Sequence, residues 1–172
     1  MARAKTAVAT ERAFTKTAES PALELVGVDV DLPDGRHLFT DVDITIAPGD
    51  RVVLQGPSGS GKTTLFRVLA GLWPFGHGRI DMPKDGRILF LPQKPYLPIG
   101  SLTEALSYPL PTDSYRREQF SQVMEDCRLG HLLPRLTEEA NWSLTLSPGE
   151  QQRLAFARAL LYRPDWLFLD ES

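Results

Sequence analysis

Apolar and polar positions alternate over residues 23–30, which predicts a strand, and Pro33-Asp34-Gly35 behind it supplies the turn to an antiparallel partner over 42–46. A second turn, Ala47-Pro48-Gly49-Asp50, leads into the apolar run 51–54, read as another strand. The period then changes, because Leu65, Val68, Leu69 and Leu72 fall at helical spacing. Gly76-His77-Gly78 and Pro83-Lys84-Asp85-Gly86 bracket a short strand over 79–82, and 88–91 is a continuous apolar run of the kind found in a sheet covered on both faces. Tyr115, Phe120, Val123 and Met124 predict a helix over 114–129, with Gly130 available to stop it. Prolines between 95 and 111 precede that helix and a polar stretch over 136–143 follows it, so the region of about 100–145 reads as a helical insertion. Ser147-Pro148-Gly149-Glu150 then opens an apolar helix to about Tyr162, and 166–169 forms a buried strand that ends in Asp170-Glu171. Strands and helices in this order predict an α/β fold with a mainly parallel core sheet and an N-terminal antiparallel hairpin.

Composition narrows the classes. A chain of 172 residues suits one domain with a substantial core. A net charge of −3 gives no reason to expect a nucleic-acid partner, whose phosphate backbone demands a basic face. The single cysteine, Cys127, excludes an internal disulfide and fits a reducing compartment. No apolar stretch approaches the roughly 20 residues that span a bilayer. Residues 1–21 carry Arg3, Lys5, Arg12 and Lys16 without the apolar centre of a secretory signal, and Glu11 and Glu19 interrupt the basic bias of an organelle-targeting segment. They read as a flexible leader ahead of a domain over 22–172.

The chemistry concentrates in Gly56-Pro57-Ser58-Gly59-Ser60-Gly61-Lys62-Thr63-Thr64, which follows the apolar run directly. This is the G-x-x-x-x-G-K-[ST] phosphate-binding loop in a strand-to-helix setting. Glycines let successive backbone N–H groups turn inward around phosphate oxygens with no Cβ in the way. Lys62 adds a mobile cation, Thr63 a hydroxyl for Mg²⁺, and the helix starting near Lys62 points its positive end at the same phosphates. The expected ligands are therefore ATP, or another nucleoside triphosphate, and Mg²⁺. The carboxylates Asp170 and Glu171 after an apolar run suit the metal-holding partner strand of such a loop.

Four segments in fixed order, GPSGSGKTT, LPQKP, LSPGEQQRLAFARALL and WLFLDE, resemble the ATP-binding cassette ATPases over nearly everything outside the leader. The resemblance implies that Lys62, Gln93 and Glu171 serve catalysis, that Thr63, Gln93 and Asp170 hold Mg²⁺, and that Glu171 polarises the attacking water. It also implies a head-to-tail partner domain, with Ser147 and Gly149 touching the γ-phosphate held across the interface, and a membrane-spanning permease that would place the chain on the cytoplasmic side of a membrane. Ser147, Pro148 and Glu150 also fall at Ncap, N1 and N3 of the following helix, a capping box that does no more than start a helix on the simpler reading. Pro148 and Glu150 depart from the family's usual glycine and glutamine. The adenine-stacking aromatic of many cassettes aligns with Leu32, and none of His37, His77 or His131 matches the family's γ-phosphate histidine. Those three read as surface or packing residues.

LAGLWPFGHGRI, Trp142 and the leader resemble the fused permease-ATPases of the peptide, cobalamin and peroxisomal fatty-acyl group. Trp73 and Trp142 themselves read as core or interface aromatics. The family continues past the Asp-Glu pair with a further strand and a histidine loop. By that resemblance the chain reads as a C-terminally truncated fragment, with an incomplete sheet and a gap between 51–54 and 166–169. Two alternatives to a transport engine follow: an ATP-binding module without hydrolysis, or an ABC-type ATPase of DNA repair or translation.

Overall fold

A computed structural model describes residues 14–17, 20–83 and 86–170. It divides into two compact units, Met1–Asp85 and Gly86–Ser172.

In the first unit, β1 (Phe14–Thr17), β2 (Leu23–Asp31), β3 (His37–Ile46) and β4 (Gly76–Asp81) form a sheet ordered β1-β4-β2-β3, and α1 spans Lys62–Leu69. The expected hairpin is β2–β3, antiparallel from Leu23 opposite Ile46 to Asp31 opposite His37. Its turn closes through Leu32 N–H to Arg36 O at 2.7 Å and Gly35 N–H to Leu32 O at 2.9 Å, with Gly35 at φ 86°. β2 buries Leu23 and Leu25, then Val28 and Val30, so the alternation skips one position. A bulge between Leu25 and Val28 absorbs the extra residue, with Gly27 at φ 55°. Burying each such side chain fully contributes about 1.5–3 kcal/mol. Part of the segment expected as a loose leader is a strand: β1 runs parallel to β4 from Phe14 opposite Gly78 to Thr17 opposite Asp81.

β4 lies close against β2 because Gly78 has no side chain. A Cβ there would sit 2.6 Å from both Gly27 O and Val28 Cα, at φ 122°. Gly78→Ala is therefore expected to destabilise this unit, with about 1–3 kcal/mol from backbone strain and a further cost from the clash. Urea unfolding checks this, and an unchanged midpoint would contradict the packing described.

The apolar run 51–54 departs from its expected strand. Among the described residues it pairs with no strand, and Val52 and Val53 are 62% and 77% exposed. A strand is held by ladder bonds to a neighbour, so an apolar run without one leaves its backbone to water. Leu72 departs as well, since α1 ends before it. Gly71, at φ 76°, turns the chain, with Gly71 N–H on Val68 O and Leu72 N–H on Arg67 O, a Schellman closure that leaves Leu72 exposed.

In the second unit, β5 (Ile88–Leu91) and β8 (Trp166–Leu169) pair in parallel from Ile88 opposite Trp166 to Leu91 opposite Leu169. The Phe90 and Phe168 rings stack at 4.6 Å between centroids. Between these strands come β6 (Gly100–Ser101), α2 (Leu102–Ser107), α3 (Arg117–Asp126), β7 (Glu139–Ala140), α4 (Trp142–Thr145) and α5 (Pro148–Tyr162), with 3-10 turns at Thr112–Ser114 and Gly130–Arg135. The predicted helix over 114–129 is trimmed at both ends. Gln119 Oε1 accepts Arg116 N–H at its start, and Arg128 enters the left-handed region at φ 56° beyond its end.

Leu102, Leu106, Phe120, Met124, Leu129, Trp142 and Leu154 form one continuous core. Trp142 is fully buried, its Nε1–H donates to Gly100 O at 2.9 Å, and the Arg135 guanidinium lies 4.9 Å from its ring centre. Arg158 of α5 is buried too. Its guanidinium donates to Ala105 O at 2.7 and 3.0 Å and to Tyr96 O at 3.0 Å, so its charge rests on carbonyl oxygens.

Candidate functional site

The phosphate loop is an exposed turn that runs into α1. Gly59 and Gly61 take φ 80° and 92°, values that glycine adopts at no steric cost. Gly56 makes the close approach: a Cβ there would sit 2.8 Å from Ser60 Oγ. A Cβ on Gly61 would sit 3.0 Å from the Phe39 ring, so β3 supports the loop from below. The Lys62 ammonium donates to Gly56 O at 2.9 Å and Pro57 O at 3.0 Å, curling back over its own loop. This cradle of glycines under a cation fits the triphosphate expected from the sequence. Thr63 stands in the first turn of α1, whose buried face is Leu65, Val68 and Leu69.

The other expected residues lie in the second unit. Gln93 follows β5 and is exposed, whereas Asp170 follows β8 and is buried. Asp170 N–H donates to Leu91 O at 3.0 Å, so Gln93 and Asp170 come from the same end of this strand pair. In this unit the Gln93 amide oxygen and the Asp170 carboxylate are hard oxygens of the kind Mg²⁺ takes, and in the first unit the Thr63 hydroxyl is another. Glu171 lies outside the described residues.

Ser147 and Gly149 are exposed at the start of α5. The capping box forms: Glu150 N–H donates to Ser147 Oγ at 3.4 Å, while Glu150 Oε2 accepts Ser147 N–H at 2.9 Å and Ser147 Oγ–H at 2.6 Å. Pro148 occupies N1, where its lost N–H costs nothing. Sequence reasoning missed the third contact of this group, His131 Nε2 at 2.9 Å from Glu150 Oε1. The two residues are far apart in sequence, and no periodic pattern connects them. The Ser147 hydroxyl and backbone N–H, with His131 behind them, hold the Glu150 carboxyl down to about 2 from an ordinary 4.5.

A carboxyl group held that low stabilises the fold fully above its unfolded value of 4.5, and the contribution fades as pH falls toward 2. Glu150→Gln is therefore expected to flatten the loss of stability between about pH 4.5 and pH 2. Thermal unfolding across that range checks this, and parallel curves for parent and variant would contradict it.

The sequence profile described as "ABC transporter" matches residues 39–172, which include every one of these segments. The chain belongs to the ABC transporter family. An uncharacterised ABC transporter ATP-binding protein of Haemophilus influenzae is 46% identical over 140 residues, covering 81% of this chain and 24% of that protein. Human ATP-binding cassette sub-family D member 3 is 35% identical over 147 residues, covering 81% and 22%. Arabidopsis thaliana ABC transporter D family member 1 is 38% identical over 165 residues, covering 89% and 12%. The chain thus spans at most about a quarter of the length of these curated ABC transporter relatives. A solved bacterial Atm1-family ABC exporter with ATP bound superposes with a TM-score of 0.75 at 24% identity, covering 92% of this chain and 30% of that one. That likeness gives the ABC ATPase fold, a P-loop NTPase architecture.

Among the described residues of this ABC domain, no helix is long and apolar enough to cross a membrane.

Proposed function

We propose that this chain binds ATP on the phosphate loop and, in a complete head-to-tail dimer, hydrolyses it to drive transport of a substrate across a membrane. The observation that carries this reading is the loop of Gly56 to Thr64, exposed over residues 56–59, with Gly59 and Gly61 at positive φ and the Lys62 ammonium held over it. In this reading the backbone N–H groups of Gly56, Ser58, Gly59, Ser60, Gly61, Lys62, Thr63 and Thr64 surround the phosphates, with Pro57, which has no N–H, shaping the turn, and Lys62 leaves its two carbonyls for phosphate oxygens. Thr63, Gln93 and Asp170 are the residues that would hold Mg²⁺, which would supply positive charge against the phosphates. Glu171 accepts a proton from the attacking water as its oxygen bonds the γ-phosphorus and the bridging bond to ADP breaks. Ser147 Oγ and the Gly149 N–H meet the γ-phosphate bound by the partner domain, at the positive end of α5.

The partner domain, a transmembrane permease and a place on the cytoplasmic side of a membrane belong to the same reading. Support comes from the relatives, which are named as ABC transporters and an ABC transporter ATP-binding protein. A second reading, binding without turnover by the chain on its own, is favoured by the run 51–54, which feeds the phosphate loop yet belongs to no sheet among the described residues.

Calorimetric titration with magnesium-ATP, with phosphate release followed in the same samples, tests both. Saturable uptake is expected, with little or no phosphate release by this chain on its own. No uptake by folded protein would refute ATP binding, and sustained phosphate release by the chain alone would refute the second reading.

A further inference from the structure

The start of α5 carries a charge that conflicts with its proposed role. Ser147 and Gly149 are to meet a γ-phosphate, yet Glu150 places a carboxylate oxygen 2.6 Å from Ser147 Oγ. A neutral glutamine, the family's usual residue at this position, would make the same cap without the repulsion. The structure supplies a counterweight from another element. His131, in the 3-10 turn Gly130–Arg135, sets its Nε2 2.9 Å from Glu150 Oε1, the oxygen that the cap leaves unused.

Resting on the head-to-tail reading above, we propose that His131 is a positioning residue for Ser147: it holds the Glu150 carboxylate on the cap and offsets its charge, so that the α5 N-terminus accepts the partner's γ-phosphate. One carboxylate thereby bridges two elements. Its Oε2 fixes the Ser147 backbone and hydroxyl, and its Oε1 is drawn toward the imidazole. Without the imidazole, the full carboxylate charge faces an incoming triphosphate and the side chain loses the contact that fixes its second oxygen.

The other charged groups around the histidine do not replace it. Arg135, on the same turn, is committed to Glu138 through two bonds of 2.7 Å. Glu125 of α3 lies against Gly130 and adds negative charge. Arg153 of α5 lies on the Gly149 side, its Nη1 3.5 Å from where a Gly149 Cβ would stand.

The test is self-association of the 172-residue chain, followed by sedimentation with magnesium and a non-hydrolysable ATP analogue, with far-UV circular dichroism as the folding control. His131→Ala is expected to weaken association about tenfold, a change of about 1.4 kcal/mol. His131→Lys, which keeps an N–H donor for the same carboxylate, is expected to restore most of it. In a Glu150→Gln background, His131→Ala is expected to change association by less than about twofold, because the charge to be offset is gone.

Undiminished association of folded His131→Ala would overturn the inference, and so would an equal loss in the Glu150→Gln background, which would mark a purely structural contact. A parent chain that takes up ATP by calorimetry but never associates would overturn the head-to-tail reading and this inference with it. Association of the parent that ignores His131 overturns this inference alone.

Discussion

Lys62→Ala is expected to lower ATP affinity by about 10²–10⁴-fold while leaving the fold intact. The ammonium sits over the loop, held by Gly56 O and Pro57 O at 2.9 and 3.0 Å. Those are neutral acceptors, and phosphate oxygens exchange them for charge-assisted bonds worth about 1.5–3 kcal/mol each. Two such bonds lost account for the expected range. The residue is in the first turn of a short helix and is not one of its buried residues Leu65, Val68 and Leu69, so alanine costs little there and stability should stay within about 0.5 kcal/mol. Titration calorimetry beside thermal unfolding reads both quantities. Affinity that survives in the folded variant would mean that the triphosphate binds elsewhere.

Trp142→Ala has the largest expected effect on stability. The side chain is fully buried at the centre of the second unit's core, with its Nε1–H on Gly100 O and the Arg135 guanidinium over its ring. Removing it leaves a cavity worth about 3–5 kcal/mol. The orphaned Gly100 carbonyl adds about 1 kcal/mol or more. Against a typical total of about 5–15 kcal/mol for a domain, this is enough to unfold much of the population at ambient temperature. Trp142→Phe, which keeps most of the volume and loses the donor, should fall between parent and alanine. Denaturant unfolding followed by circular dichroism reports the effect. A midpoint unchanged by alanine would show that the indole is not the core residue described.

Local chemistry made much of this fold readable in the sequence. The run 88–91 and its counterpart 166–169 are strands at the expected bounds because each is short, apolar and flanked by turn residues, and they prove to be each other's partners; the burial expected of them does not follow, since Leu167 and Leu169 are exposed on a pair that has no further strand beside it among the described residues. Ser147, Pro148 and Glu150 marked the start of α5 because capping uses residues three apart, within reach of a sequence window. Pro33-Asp34-Gly35 likewise located the β2–β3 turn.

What could not be read depends on contacts between distant segments. The run 51–54 has strand composition but no ladder, and composition does not carry a neighbour. β1 exists because it finds the edge of β4, which nothing in Phe14-Thr15-Lys16-Thr17 announces. At the candidate site, the phosphate loop and the cap on α5 were legible for the same local reasons. Phe39 beneath Gly61 and His131 on Glu150 were not, because they come from elements far away in the chain.

Amide hydrogen exchange across residues 56–64, with and without magnesium-ATP, tests the central claim most directly. Those amides are on an exposed turn and the first turn of α1, so they are expected to exchange fast in the free chain and slow by at least about tenfold when nucleotide oxygens accept their hydrogens. Protection that appears elsewhere while this stretch exchanges unchanged would contradict the account.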